Sequence, residues 1–209
     1  MPESKPQREE VWSSHGTPEL KVLTQNVDHN GRQWLQHIVQ ADGGNAGVVV
    51  VATLGGKFLM VEHYRPVTGT TLLEFPRGFG APPDPRLSAE EQSCANGSRE
   101  LAEETGIISL SARFLGHVWA DSGLLGNRIA VVAVEAATQD STQAVDGETD
   151  SHHWLSAKEL TAEINTGRMC DGISLAAYSL WCAKPAERPE EPIGVSPAFD
   201  APNTDRCDN

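Results

Sequence analysis

The sequence predicts an α+β sandwich built on a mixed β-sheet. Three observations carry this. Two hairpin patterns rich in β-branched residues come first, one long capped helix follows, and two further capped helices come late in the chain. The order strands, helix, strands, helices is not the regular alternation of a βαβ repeat.

Each element has a local reason. Residues 19–26 and 33–41 read as strands joined by a six-residue connection, 27–32, in which Asn30-Gly31 supplies two positions tolerant of positive φ. Residues 46–54 are a β-branched run. Gly55-Gly56 turns the chain, and residues 57–65 return as a second hairpin arm. A short strand at 71–75 leads into a Pro-rich loop, 76–87. Ser88-Ala89-Glu90-Glu91 is a capping box that opens a helix running to Thr105 and stopping at Gly106. Gly97 inside it costs about 1 kcal/mol relative to alanine, so tertiary contacts must hold that turn. Strands are expected near 112–120, 128–136 and 151–155. Ser156-Ala157-Lys158-Glu159 repeats the capping box for a helix ending near Asn165. Asp171 caps a last helix over 172–183.

At 209 residues the chain suits one domain with tails. Residues 1–11 are polar and aperiodic and read as a tail, with 12–44 as an N-terminal β region. The 26 residues from Lys184 hold five prolines and six acids, too little apolar area to offset ordering, so 184–209 is expected to be disordered. The folded body is expected over roughly 12–183, with the main domain at 45–183. The net charge of −13 argues against nucleic acid or an anionic membrane as partner. No apolar run approaches the roughly 20 residues that span a bilayer. Four scattered cysteines without a C-x-x-C pair, and a polar start, predict a cytoplasmic protein with reduced thiols.

The segment Arg99-Glu100-Leu101-Ala102-Glu103-Glu104-Thr105-Gly106-Ile107 carries chemistry. Helical spacing places Glu100 one turn from Glu103 and Glu104, so three carboxylates can share one face, at exposed positions. Their hard oxygens suit Mg²⁺ or Mn²⁺, which could clamp a diphosphate and activate water. The bland alternative is a solvated acidic face.

With its surroundings this segment resembles the Nudix box, G-x(5)-E-x(7)-R-E-U-x-E-E-x-G-U with U a bulky apolar residue. Glu91, Arg99, Glu100, Leu101, Glu103, Glu104, Gly106 and Ile107 fit in order. The glycine position falls on Pro85; Gly78, twelve residues before Glu91 rather than five, is the equivalent across a seven-residue insertion. Glu91 either pairs with Arg99 or caps the helix; capping with some contact to Arg99 is the favoured reading. The resemblance implies a Nudix α/β/α sandwich. It also implies divalent-metal ligation by Glu100 and Glu104, Glu103 ligating or orienting, and a metal contact from the main-chain carbonyl of Arg77. Gly78, Arg99 and Gly106 would be structural.

Over residues 35–183 the chain looks most like the ADP-ribose pyrophosphatase branch. His63-Tyr64-Arg65-Pro66, Glu74-Phe75-Pro76-Arg77-Gly78 and Asp171-Gly172-Ile173-Ser174 carry that likeness. It implies hydrolysis of a nucleoside diphosphate sugar, ADP-ribose first, with Arg65, Glu74 and Arg77 on the substrate. It also implies a catalytic Glu148 on a loop and a homodimer formed through the N-terminal region. For Glu148 the alternative is an ordinary acidic loop, and for Arg65 a strand-end surface arginine. Trp12 and Trp34 are expected in core or interface packing. His152 and His153, adjacent on a strand, point to opposite faces and cannot share a metal. Two other readings compete: a Nudix-fold sensor that binds without hydrolysis, and a prenyl diphosphate isomerase, which would need a cysteine in the pocket.

Overall fold

The computed structural model describes residues 7–45, 47–138 and 151–184. Strands β1 (Glu9–Ser13), β2 (Leu20–His29) and β3 (Arg32–Ala41) form an antiparallel three-stranded sheet in the order β1-β2-β3. Asn30 and Gly31 both take positive φ, 53° and 74°, so the turn needs only those two residues. Pairing therefore continues to His29 opposite Arg32, where the sequence suggested a longer connection. Strand β1 also begins inside the segment expected to be a tail.

The second sheet holds β4 (Gly47–Leu54), β5 (Lys57–Arg65), β6 (Thr70–Glu74), β7 (Arg77–Phe79), β8 (Ser109–Val118), β9 (Ile129–Ala136) and β10 (Ser151–Ser156). Its spine runs β10-β5-β4-β9-β8, with β6 pairing β5 and β7 pairing β4. The β4–β9 pair is parallel and its other described neighbours antiparallel, so the sheet is mixed. Strand β7 lies within the Pro-rich segment expected to be loop.

Alternation along β4 feeds two cores. Val49 and Val51 join Phe58, Met60, Phe75, Leu115 and Ala177 on one face, under α2 (Ala157–Asn165) and α3 (Gly172–Ala183). Val48, Val50 and Ala52 join Leu59, Leu101, Ile107 and Val132 on the other, under α1 (Ala89–Thr105). A strand buried on both faces reads as an unbroken apolar run, as residues 46–54 do. Each such side chain contributes about 1.5–3 kcal/mol by leaving water. The result is the expected α/β/α sandwich.

All three helices start at the caps read from sequence. Ser88 and Ser156 form complete capping boxes with Glu91 and Glu159, and the Asp171 carboxylate accepts from Ser174 N–H. Helix α1 ends at Gly106 in the left-handed region, φ 69°. Gly97 faces the sheet: a Cβ there would lie 3.3 Å from Val132 and 3.4 Å from Val50, so close helix–sheet packing offsets its poor helix propensity. No helix among the described residues is long and apolar enough to cross a membrane. Trp12 and Trp34 are exposed on the N-terminal sheet, which removes the core option for both within one chain. Residues 1–6 and 185–209 lie outside the described residues.

Candidate active site

The C-terminal half of α1 presses its acids against β7. Glu100 is 8% exposed and Glu104 4%. The expectation that they are exposed is wrong, for a reason visible on the helix itself. Its buried stripe is Ser93, Asn96, Gly97, Glu100, Leu101, Glu104 and Thr105, an i, i+3/i+4 series made largely of polar residues. Reading periodicity from apolar residues alone puts that stripe on the wrong side.

Gly78 meets this stripe. A Cβ at position 78 would stand 2.1 Å from Glu100 Oε2, so the close approach requires glycine. Arg99 clamps the same junction from the rim. Its guanidinium donates to the main-chain oxygen of Phe79 at 2.9 Å, to Glu100 Oε1 at 2.5 Å and to Glu103 Oε2 at 2.5 Å. Glu103 thus sits at the exposed edge, while Glu100 and Glu104, one turn apart, share the buried face; the three do not share one face. Among the described residues no three acidic, histidine or cysteine side chains converge tightly enough to hold an ion. The donor chemistry nevertheless fits a hard divalent cation. Two nearly buried carboxylates sit beside a space that a single Cβ would fill, with main-chain carbonyls of β7 adjoining.

Glu91 does not reach Arg99. Seven residues of helix lie between them, and the eight-step rise is about 12 Å along the axis. Its carboxylate instead accepts from Ser88 N–H at 2.8 Å, and that bond holds its pKa below the usual glutamate range. Asp84, which stands six residues after Gly78 and so at the motif's acidic spacing counted from that glycine, pairs with Arg86. The inserted loop docks on α1 through Asp84 N–H to Gln92 and Ala81 N–H to Asn96. It walls a separate cavity of about 380 Å³ that includes none of the expected site residues.

Opposite the acids stands an arginine cluster. Antiparallel pairing of β5 and β6 and strand alternation put His63, Arg65 and Glu74 on one face. Glu74 is fully buried. Arg65 grips it in a fork, Nε to Oε1 at 2.9 Å and Nη2 to Oε2 at 2.5 Å, while Arg77 Nη2 reaches Oε2 at 3.0 Å. Arg77 Nη2 also lies 3.6 Å from Asp171 Oδ1. The bond to Glu74 raises the Arg65 pKa despite partial burial, and the charges of Asp171 and Glu104 add to it. Arg65 is therefore near enough to the acidic helix to feel it.

A cavity of about 390 Å³ opens beside these groups. His63, Arg65, Arg77 and Gly78 line one side, and Leu20, Val39, Val48, Leu125, Ile129 and Ile173 supply apolar walls. Leu20 and Val39 come from the N-terminal sheet. The loop carrying Leu125 is bound to β3 by Val39 N–H to Leu124 O and Gly126 N–H to Val39 O, both 2.8 Å. None of the described cysteines lines this cavity, so the isomerase reading finds no support among the described residues.

Arg65, Glu74, Arg77 and Gly78 thus meet as expected, with Glu100 and Glu104 alongside. Glu148 lies outside the described residues. His153 faces Glu62 and Ser151, away from the cleft. Sequence reading treated Asp171 only as a cap and His63 only as a strand residue. The alternation of His63 with Arg65 was the available signal for His63; nothing local marked the Asp171–Arg77 pair.

An acidic helix packed on a glycine strand, facing an arginine-lined cavity within an α/β/α sandwich, is the frame in which the comparisons fall. The sequence profile of the NUDIX domain matches residues 43–171, more than half of the chain. "Phosphatase NudJ" of Escherichia coli K12 and its counterpart in Shigella flexneri are each 31% identical over 149 residues, covering 70% of this chain and 88% of the relative. The chain therefore belongs to the Nudix hydrolase family. Among solved structures, an "ADP compounds hydrolase" superposes with a TM-score of 0.63 at 16% identity, covering 86% of this chain and 94% of that one. A "NUDIX hydrolase from Nitrosomonas europaea" gives 0.50 at 22%, covering 66% and 88%. These two likenesses speak to the fold.

Proposed function

We propose that the protein hydrolyses the diphosphate bond of a nucleoside diphosphate sugar, with ADP-ribose as first candidate, giving AMP and ribose 5-phosphate in a divalent-metal-dependent reaction. The observation that carries this reading is the juxtaposition of two walls. The buried Glu100 stands against Gly78 with the buried Glu104 one turn further along α1, and the Glu74-bound Arg65 and Arg77 line the adjoining cavity. A diphosphate between two organic groups needs cationic contacts for its oxygens and an apolar recess for a base, and the cavity offers both.

Glu100 and Glu104 would hold Mg²⁺ or Mn²⁺, with Glu103 orienting from the rim and the Arg77 main-chain carbonyl adding a donor. Such an ion supplies charge neutralisation on phosphate and a more acidic bound water. Arg65 and Arg77 bind the phosphate or terminal ribose through forked hydrogen bonds, and the apolar walls limit bulk water. Glu148 takes the proton from the attacking water. Exposed Trp12, Trp34 and Leu35 on the N-terminal sheet support a homodimer through that sheet.

The test is to incubate purified protein with Mg²⁺ and ADP-ribose beside a panel of nucleoside diphosphate sugars, and to assay AMP and sugar phosphate. Tight binding without turnover across the panel would establish the non-hydrolytic sensor instead.

A further inference from the structure

We infer that Asp171 is a positioning residue for the cleft: its charge fixes the Arg77 guanidinium on the cavity wall. The inference rests on the reading of Arg77 as substrate-binding. Asp171 performs two tasks with two different atoms. Oδ2 accepts from Ser174 N–H at 2.8 Å and caps α3. Oδ1 stands 3.6 Å from Arg77 Nη2. The first task does not need a charge, because asparagine and serine cap helices as well as aspartate does. The second does.

Glu74 alone does not hold Arg77. Both its oxygens already receive the fork of Arg65, and Arg77 shares only Oε2. Arg77 Nη2 is thus gripped between Glu74 on one side and Asp171 on the other. The grip is firm because the start of α3 is tied to β6 around Glu74. Ser174 Oγ, on a fully buried residue, accepts from Phe75 N–H at 3.1 Å, and Arg168 O accepts from Leu73 N–H at 3.2 Å. Ile173, in the same turn, lines the cavity.

Two effects of removing the charge oppose each other. Arg77 would lose a competing anion, which favours a phosphate ligand. It would also lose an anchor, and a long side chain held by one shared oxygen regains rotamer freedom that binding must then remove. The loss of order dominates, because Arg77 would then keep only the one oxygen of Glu74 that it shares with Arg65.

The experiment compares Asp171→Asn, Asp171→Glu and Arg77→Ala with wild type in the full chain, reading KM and kcat for ADP-ribose with Mg²⁺, and Tm. Asp171→Asn keeps the cap and loses the charge. It should leave Tm near wild type and raise KM about fivefold with kcat little changed. Asp171→Glu keeps the charge and weakens the cap, so Tm should fall while KM stays close to wild type. Unchanged or lower KM in Asp171→Asn, beside a raised KM in Arg77→Ala, overturns the inference and leaves the role of Arg77 standing. Unchanged KM in Arg77→Ala overturns both.

Discussion

The two walls that meet at Gly78, the arginine-lined cavity side and the acidic end of α1, bury carboxylates in opposite ways. Glu74, with no exposure, is gripped by two guanidinium groups, and a second acid, Asp171, balances the extra positive charge. Glu100 and Glu104, nearly as buried, share their end of α1 with Glu103, and Arg99 bonds to Glu100 and Glu103. One wall is electrically closed. On the other, three carboxylates crowd one helix end, and Arg99 bonds to two of them. Burying like charges one helical turn apart weakens the fold. On the proposed function the two acids serve the chemistry of the cleft, whereas Glu74 anchors its arginines.

That contrast fails if the two kinds of carboxylate respond alike to neutralisation. Glu74→Gln leaves two part-buried guanidinium groups short of their counter-charge and should destabilise the protein by about 3–5 kcal/mol, measured by urea unfolding. Glu100→Gln and Glu104→Gln should do the reverse without metal, holding or raising stability, because repulsion falls. Both should lower kcat/KM by about a hundredfold or more and abolish the rise in Tm expected when Mn²⁺ is added to wild type. Unchanged rates in both variants would contradict their assignment as ligands. Gly78→Ala probes the seam between the walls. Its Cβ would lie 2.1 Å from Glu100 Oε2, so the carboxylate must move. A stability loss of about 1–3 kcal/mol is expected, with reduced turnover. Full activity would show that the Glu100 position is not used.

The smallest effect lies outside the cleft and calibrates the others. Glu62 accepts from the Ser151 hydroxyl and faces Arg168 and His153, with Glu163 on the far side of Arg168. The Ser151 bond, then the cations, hold its pKa below the ordinary glutamate value. A depressed folded-state pKa contributes stability above the unfolded pKa and loses it as pH falls through the folded one. Glu62→Gln should therefore flatten the fall in Tm between about pH 5 and 3 and leave kcat/KM unchanged. A wild-type slope would remove this carboxylate from the acid response.

What was legible in the sequence was local. Ser88, Ser156 and Asp171 announce helix starts because a cap involves only its own turn, and Asn30-Gly31 announces a hairpin for the same reason. The motif likewise gave the acids of α1 and the glycine they meet, across seven extra residues. Burial was not legible. Ser93, Asn96, Glu100 and Glu104 look like a solvent face and form the sheet-facing stripe. Nor were the long-range pairings. Asp171 and Arg77 meet because the segment before α3 is tied to β6 through Leu73 N–H to Arg168 O, and Leu20 and Val39 reach the cavity because the loop at 124–126 hydrogen-bonds to β3.

Gly97 sets the height of α1 above the sheet, since a methyl group there would already crowd Val132 and Val50. The residue stands one turn before Glu100. Adding that one carbon would force Val132 or the helix itself to give by a few tenths of an ångström, one turn from the acidic end. The spacing between the two walls is thus calibrated by an atom that is missing, at a position that lines neither of them.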